Sequence, residues 1–250
     1  MRHYAEYSQH SVSMVNMDKL TEVIRNENAK NKLRYIIETG TFLGTGSTRM
    51  IAETFLNENP QPQVITIEAN WLHWKKAKKN LKNYNFVTPL WGLSVPNNEA
   101  IEFAKNDYPL QHRDEFPGIY VDGGDDPLGF YIRELSGDFG YTRFKSLNYA
   151  LKFLANRDKK KNFSGEDLLR KYLLKYRKEL PLIVLDSAGA IGLLEFNIVK
   201  EIMRDYKYYL LLDDIHHLKH FRSYKEIKQN PDYEILIVNE GGGWLFAKRL

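Results

Sequence analysis

Two groups of residues in this 250-residue chain have the types and spacing of a ligand site. The first lies in the stretch RYIIETGTFLGTGST, where Glu38 is followed by Gly40, Gly44 and Gly46 in the pattern acid-x-Gly-x-x-x-Gly-x-Gly. Glycines let the main chain turn sharply and let a ligand approach it without meeting a Cβ. Thr41 lies within this loop, and Ser47 and Thr48 place hydroxyls at the start of a helix-like segment, whose first N–H groups lack intrahelical acceptors. Glu68 closes the run VITIE about 20 residues on, where a carboxylate can accept both hydroxyls of a ribose. The second group is acidic. Asp186 closes the apolar run Leu182 to Leu185, and Asp213-Asp214 closes Tyr208 to Leu212, one strand–helix–strand unit later. Carboxylate oxygens at such strand ends suit Mg²⁺, which lowers the pKa of a hydroxyl that it holds. Capping of the next helix is the other reading of the acidic pair. His216 and His217 follow closely, with rings able to take a proton or bind substrate near neutral pH, or simply to cap or face solvent.

Such residues converge only if the elements carrying them form a parallel sheet, because ligands bind outside the carboxyl ends of its strands. The alternation of apolar runs and helical patterns predicts that sheet. A leading helix is expected over 14–30, strands over 34–39, 64–68 and 85–90, and helices over 46–57 and 71–83, with another beginning at 96–103. Regularity resumes with a strand at 182–185, a helix at 192–206, a strand at 208–212, a helix at 217–229 and a strand at 233–238. Gly241-Gly242-Gly243 then turns into a last strand, 244–249, so the chain closes on a hairpin whose final strand is antiparallel. Between these halves, residues 105–180 are rich in glycine, proline and charge, with a helical piece at 165–179. Connections in doubly wound folds are short, so this region is read as an inserted cap. Its aromatics Tyr120, Phe130, Tyr131, Phe139, Tyr141 and Phe144 serve either as substrate walls or as a small core of their own. The run Ile119 to Asp122 is a rival strand end, assigned here to the insertion.

Composition narrows the class. With 43% hydrophobic and 27% charged residues the chain reads as one globular domain, 1–250, with a helical lead over 1–33. No apolar run approaches the ~20 residues of a bilayer span, and the start, MRHYAEYSQHSVSM, lacks a secretory core. A cytoplasmic location is the expectation. Zero cysteines exclude disulfides, thiolate metal sites and a cysteine nucleophile. A net charge of +4 is too weak to imply nucleic acid, and the lysine clusters at 75–79, 159–161 and 170–178 read as solvated faces.

The glycine pattern is not the Gly-x-Gly-x-x-Gly of dinucleotide folds. It resembles the first motif of class I S-adenosylmethionine-dependent methyltransferases. Over 34–104 and 181–250 the resemblance implies a Rossmann-like, doubly wound, seven-stranded, mostly parallel sheet with an antiparallel last strand. It places the cofactor on Gly40, Thr41, Gly44 and Gly46, with Glu38 near its amino group, Ser47 at the helix start, Glu68 on the ribose, and Leu93 and Ser94 beside the adenine. The acids are similar to those of metal-dependent O-methyltransferases acting on sugars of macrolides and related natural products, which implies Asp186, Asp213 and Asp214 around Mg²⁺. Those enzymes carry a His where this chain has Gly189, so the catalytic base is left among His216, His217 and Asp186.

The function implied is O-methylation of a hydroxyl on a small molecule or sugar. N-methylation, a NAD-dependent oxidoreductase and a non-catalytic protein on the same fold are the alternatives. The acceptor and the oligomeric state, a homo-oligomer included, are left open.

Overall fold

The apolar runs pair into one sheet. In the computed structural model, which describes residues 17–136, 145–187 and 190–250, α1 (Asp18–Asn31) leads to β1 (Tyr35–Thr39), α2 (Ser47–Thr54), β2 (Gln63–Glu68), α3 (Trp71–Asn80), β3 (Val87–Trp91) and α4 (Asn97–Lys105). A run of helices follows: α5 (Tyr108–Gln111), a 3-10 turn (Arg113–Glu115), α6 (Pro127–Leu135), the long α7 (Lys145–Asn162) and α8 (Leu168–Tyr176). Alternation resumes with β4 (Leu182–Leu185), α9 (Gly192–Ile202), β5 (Tyr208–Leu212), α10 (Phe221–Gln229), β6 (Tyr233–Asn239) and β7 (Trp244–Arg249).

The strand order is β3-β2-β1-β4-β5-β7-β6. The first five run parallel, and β7 runs against both of its neighbours. This is the seven-stranded doubly wound sheet that the resemblance implies. The order reverses between β1 and β4, where Ile37 pairs with Ile65 on one side and Ile183 on the other. A crevice opens at the carboxyl ends of strands at such a switch point.

Side-chain alternation sorts each strand between two cores. Ile36, Val64, Leu182, Val184, Tyr209, Leu211 and Phe246 face α1, α2 and α3. Ile37, Ile65, Ile183, Leu185, Leu210, Leu212 and Leu245 face α8, α9 and α10. All four residues of β4 are buried because both faces of a central parallel strand are covered.

The expected elements are present, with shifted ends. Trp91 closes β3 instead of following it. Helix α10 begins only at Phe221, because 213–220 form a turn. In the region 105–180, α7 is an 18-residue helix that the glycine and charge content had concealed, and Ala155 on it packs with Trp71, Trp74 and Trp91. Leu169 and Leu173 of α8 join the main core, so α8 serves as the crossover helix into β4. Ile119 to Asp122 is not a strand of the sheet. Tyr120 makes a single bridge to His217, and Tyr131 packs below with Leu110, Ala190 and Leu218. Phe139, Tyr141, Phe144, Gly189 and the lead before residue 17 lie outside the described residues.

Candidate functional site

The glycine loop sits at the switch point. Gly40 has φ +87°, and a Cβ there would stand 2.0 Å from the carbonyl oxygen of Asp186. Only glycine lets the β1 and β4 ends touch in this way. The N–H groups of Gly40 and Thr41 donate to the Ile67 carbonyl at 3.0 and 3.2 Å, seating the loop on the end of β2. Gly46 is different: a Cβ there would meet no heavy atom within 4 Å. The main chain is open there, next to the first turn of α2.

Glu68 closes this half of the site. Its Oε2 accepts the N–H of Phe42 at 2.6 Å, and its Oε1 accepts the N–H of Asn70 at 2.7 Å. The two bonds fix the carboxylate at the β2 end beside the glycine loop. His73 lies 3.8 Å from Oε1 and its ring meets Phe42 edge-on.

Glu38 is wholly enclosed. It accepts hydroxyls from Ser47 at 2.7 Å, Thr48 at 2.6 Å and Thr66 at 2.5 Å, and Thr66 in turn meets the hydroxyl of Thr41 at 2.5 Å. Burial pushes its carboxyl up, and the three hydroxyls offset part of that rise. Its observed work is to tie α2 and β2 to β1. On the other sheet face, Glu195 of α9 accepts hydroxyls from Thr39 at 2.9 Å and Ser187 at 2.8 Å. Burial raises this carboxyl too, against the pull of nearby hydroxyls that include Ser94, Ser187 and Thr39. Leu93 is held by α8, accepting the Leu168 N–H at 3.0 Å and donating to the Gly165 carbonyl at 3.0 Å.

The acids gather as the strand ends require. Asp186, Asp213 and Asp214 each present an oxygen, and these oxygens lie within 4.8 Å of one another. Between them stands a residue that the sequence did not single out. The ammonium of Lys219 is 2.8 Å from Asp214 Oδ2 and 3.3 Å from Asp186 Oδ1, and its side chain is only 6% exposed. Burial works against this charge, but Asp214, Asp186 and Asp213 outweigh it and hold the amine above the usual lysine range. Burial, with the charges of Asp186 and Asp214, pushes Asp213 well above the carboxylate range. Asp186 is itself pushed up to about 6, by burial first. Burial also opposes the charge of Asp214, but Lys219 holds its carboxyl below the usual range. Two unit charges 4 Å apart interact by about 4 kcal/mol at an effective dielectric of 20, and a divalent ion beside the ammonium would meet about twice that repulsion.

The two halves meet at Ser47, whose Oγ lies 2.7 Å from Glu38 and 3.3 Å from Asp186. The histidines lie to one side. His217 Nδ1 accepts the Lys219 N–H at 3.2 Å, so Nε2 carries the hydrogen and donates to Asp122 Oδ2 at 3.1 Å. Both nitrogens are engaged and the ring is buried, so His217 is not placed to act as a base. His216 points to the β6–β7 hairpin, 2.9 Å from the Glu240 carbonyl, with its side chain 54% exposed. Asp122 therefore reaches the site through His217, and Tyr131 donates to the same Asp122 oxygen at 3.3 Å. Lys219 and Glu195 had no periodic signature: one lies in an irregular turn, the other reads as an ordinary helix acid.

No protein-family model matches the chain, and no curated protein matches it. Solved structures similar to it include an O-methyltransferase from Bacillus cereus in complex with S-adenosylhomocysteine, 12% identical over 99% of this chain and 88% of that one, with a TM-score of 0.48. Another is the O-methyltransferase TomG from Streptomyces achromogenes, involved in tomaymycin synthesis and in complex with S-adenosylmethionine. It is 11% identical over 95% of this chain and 82% of that one, with a TM-score of 0.45. Among the described residues, no helix is long and apolar enough to cross a membrane.

Proposed function

We propose that the chain is an S-adenosylmethionine-dependent methyltransferase acting on a hydroxyl of a small molecule or sugar. The observation that carries this reading is the open main chain at Gly46, set between the fixed carboxylate of Glu68 and the buried acids at the same switch point. Exposed glycine main chain at the start of a helix, next to an acid at the β2 end, fits an adenosine ligand. Gly40, Thr41, Gly44 and Gly46 would line the cofactor and Glu68 would receive its ribose hydroxyls. Glu38 and Ser47 shape that wall from behind, since their polar atoms are bonded within the protein, and Ser94 would stand with Leu93 on the adenine side.

When bound, the cofactor supplies a methyl group made electrophilic by its sulfonium. The protein's own share is alignment and removal of one proton. Asp186 and Asp214 keep 21% and 32% of their side chains exposed, so they can receive an acceptor hydroxyl. Asp186, with its carboxyl near 6, is a stronger base than an ordinary aspartate. With the cofactor bound, it would receive the proton released by the acceptor hydroxyl.

The test is calorimetric titration with S-adenosylmethionine, S-adenosylhomocysteine and NAD⁺. Micromolar binding of the two sulfur ligands, lost in Glu68→Ala and absent for NAD⁺, is the expected result. A folded protein that binds neither sulfur ligand overturns the reading, and binding of NAD⁺ alone would assign the site to hydride transfer.

A further inference from the structure

The acids of this site already have a cation. Three observations make Lys219 a built component and not a surface lysine folded inward by chance. Its ammonium bridges acids from two different strand ends, Asp186 after β4 and Asp214 after β5. Its backbone is clamped: the Lys219 N–H donates to His217, the Leu218 N–H donates to the Tyr120 carbonyl at 2.9 Å, and the Ile215 N–H donates to the Gly243 carbonyl at 2.8 Å. Its Cβ lies against Gly192, where an added Cβ would stand only 2.7 Å away. The chain leaves room at α9 for this turn to pack, and the turn delivers the amine to the acids.

We propose that Lys219 is the resident cation of the acidic site, in the place where a divalent metal would otherwise sit. The carboxylates then need no Mg²⁺ to be held together, and the reaction at this site is metal-independent. Lys219 is a positioning residue: it fixes Asp186 and Asp214 and balances their charge. Bridging two carboxylates keeps the amine a hydrogen donor, so the proton leaving the acceptor goes to a carboxylate. The assignment to a reaction rests on the methyltransferase reading; the exclusion of a metal does not.

Manganese binding followed by electron paramagnetic resonance tests the cation directly. Wild-type protein, Asp186→Asn, Lys219→Met and Lys219→Arg are titrated with Mn²⁺, and S-adenosylmethionine binding is measured in the same samples with and without a chelator. The expected result is no Mn²⁺ uptake by wild type beyond that of Asp186→Asn at millimolar metal. Lys219→Met gains one bound ion, at least tenfold tighter and lost when Asp186→Asn is added, whereas Lys219→Arg stays closed to metal. Wild-type uptake of Mn²⁺ that Asp186→Asn abolishes overturns the proposal, as does a folded Lys219→Met that takes up none. If Lys219→Met does not fold, the comparison of wild type with Asp186→Asn still decides. Cofactor binding that survives the chelator while Mn²⁺ binds through Asp186 would sink the cation and leave the methyltransferase standing. Mn²⁺ exclusion without cofactor binding would do the reverse.

Discussion

Glu38 and Glu195 are buried on opposite faces of the same strand end, Glu38 held by three hydroxyls and Glu195 by two. The pairing follows from the strand period. Glu38 and Thr39 are neighbours on β1, so one points to α2 and the other to α9. The glycine loop therefore leaves a strand anchored from both sides, which keeps the switch point rigid.

Removing one anchor should cost more than muting it. Glu195→Ala leaves the hydroxyls of Thr39 and Ser187 without their acceptor, and should destabilise the fold by about 3 kcal/mol. Glu195→Gln keeps an accepting oxygen and should cost less than half of that. Urea denaturation of the two variants measures the difference; equal losses would mean that the charge, not the acceptor, matters.

The glycines should separate into two kinds. Gly40→Ala places a Cβ against the Asp186 carbonyl at a φ unfavourable to side chains, and should unfold the protein or cost several kcal/mol. Gly46→Ala puts a Cβ into open space without touching a neighbour, so cofactor affinity should fall at least tenfold in the folded variant. Unchanged affinity in folded Gly46→Ala would remove the ligand from that face.

Stability should carry the mark of Asp186. Its folded carboxyl is raised to about 6 from an ordinary 3.8, so the folded state binds its proton more tightly than the unfolded chain does. Its contribution is complete below pH 3.8 and is lost as pH rises toward and through 6. The stability of wild type minus that of Asp186→Asn should therefore fall between about pH 4 and pH 6 and level off above 7. A difference that rises over that window would reverse the assignment.

The Asp122–His217 pair should govern the motion of the turn and not the acid chemistry. Asp122→Asn weakens the tie between 119–122 and the Lys219 turn, so hydrogen exchange at the Leu218 N–H, which bonds to Tyr120, should speed up at least tenfold. Cofactor affinity should change little. Unaltered exchange would show that the backbone bridge holds the segment by itself.

Most of the sheet was legible because period and punctuation agree there. Leu182 to Leu185 is apolar throughout because the strand is covered on both faces, and Gly241 to Gly243 marks a hairpin without ambiguity. The glycine loop and Glu68 were legible for the same reason: their neighbours in space are near neighbours in the fold's repeating unit. The rest depends on contacts that no local pattern encodes. Lys219 looks like any lysine until the turn after β5 is bent by Asp214 at φ +55° and fastened to Tyr120 and Gly243. His217 looked like a base, and only its two partners show that it is a brace. Helix α7 was obscured because its buried residues are few and its apolar side chains, Tyr149 and Phe153 among them, are largely exposed.

The placement of β7 sets an order of assembly. Among the strands, β6 pairs with β7 alone, and β7 enters between β6 and β5. Neither can dock until both have left the ribosome, and the Gly243 carbonyl that fastens the acidic turn arrives with them. A chain stalled short of that hairpin would hold a glycine loop with no finished chemistry beside it. A chain cut before Tyr233 should therefore keep β1 to β4 and the glycine loop but lose the fastening of the acidic turn.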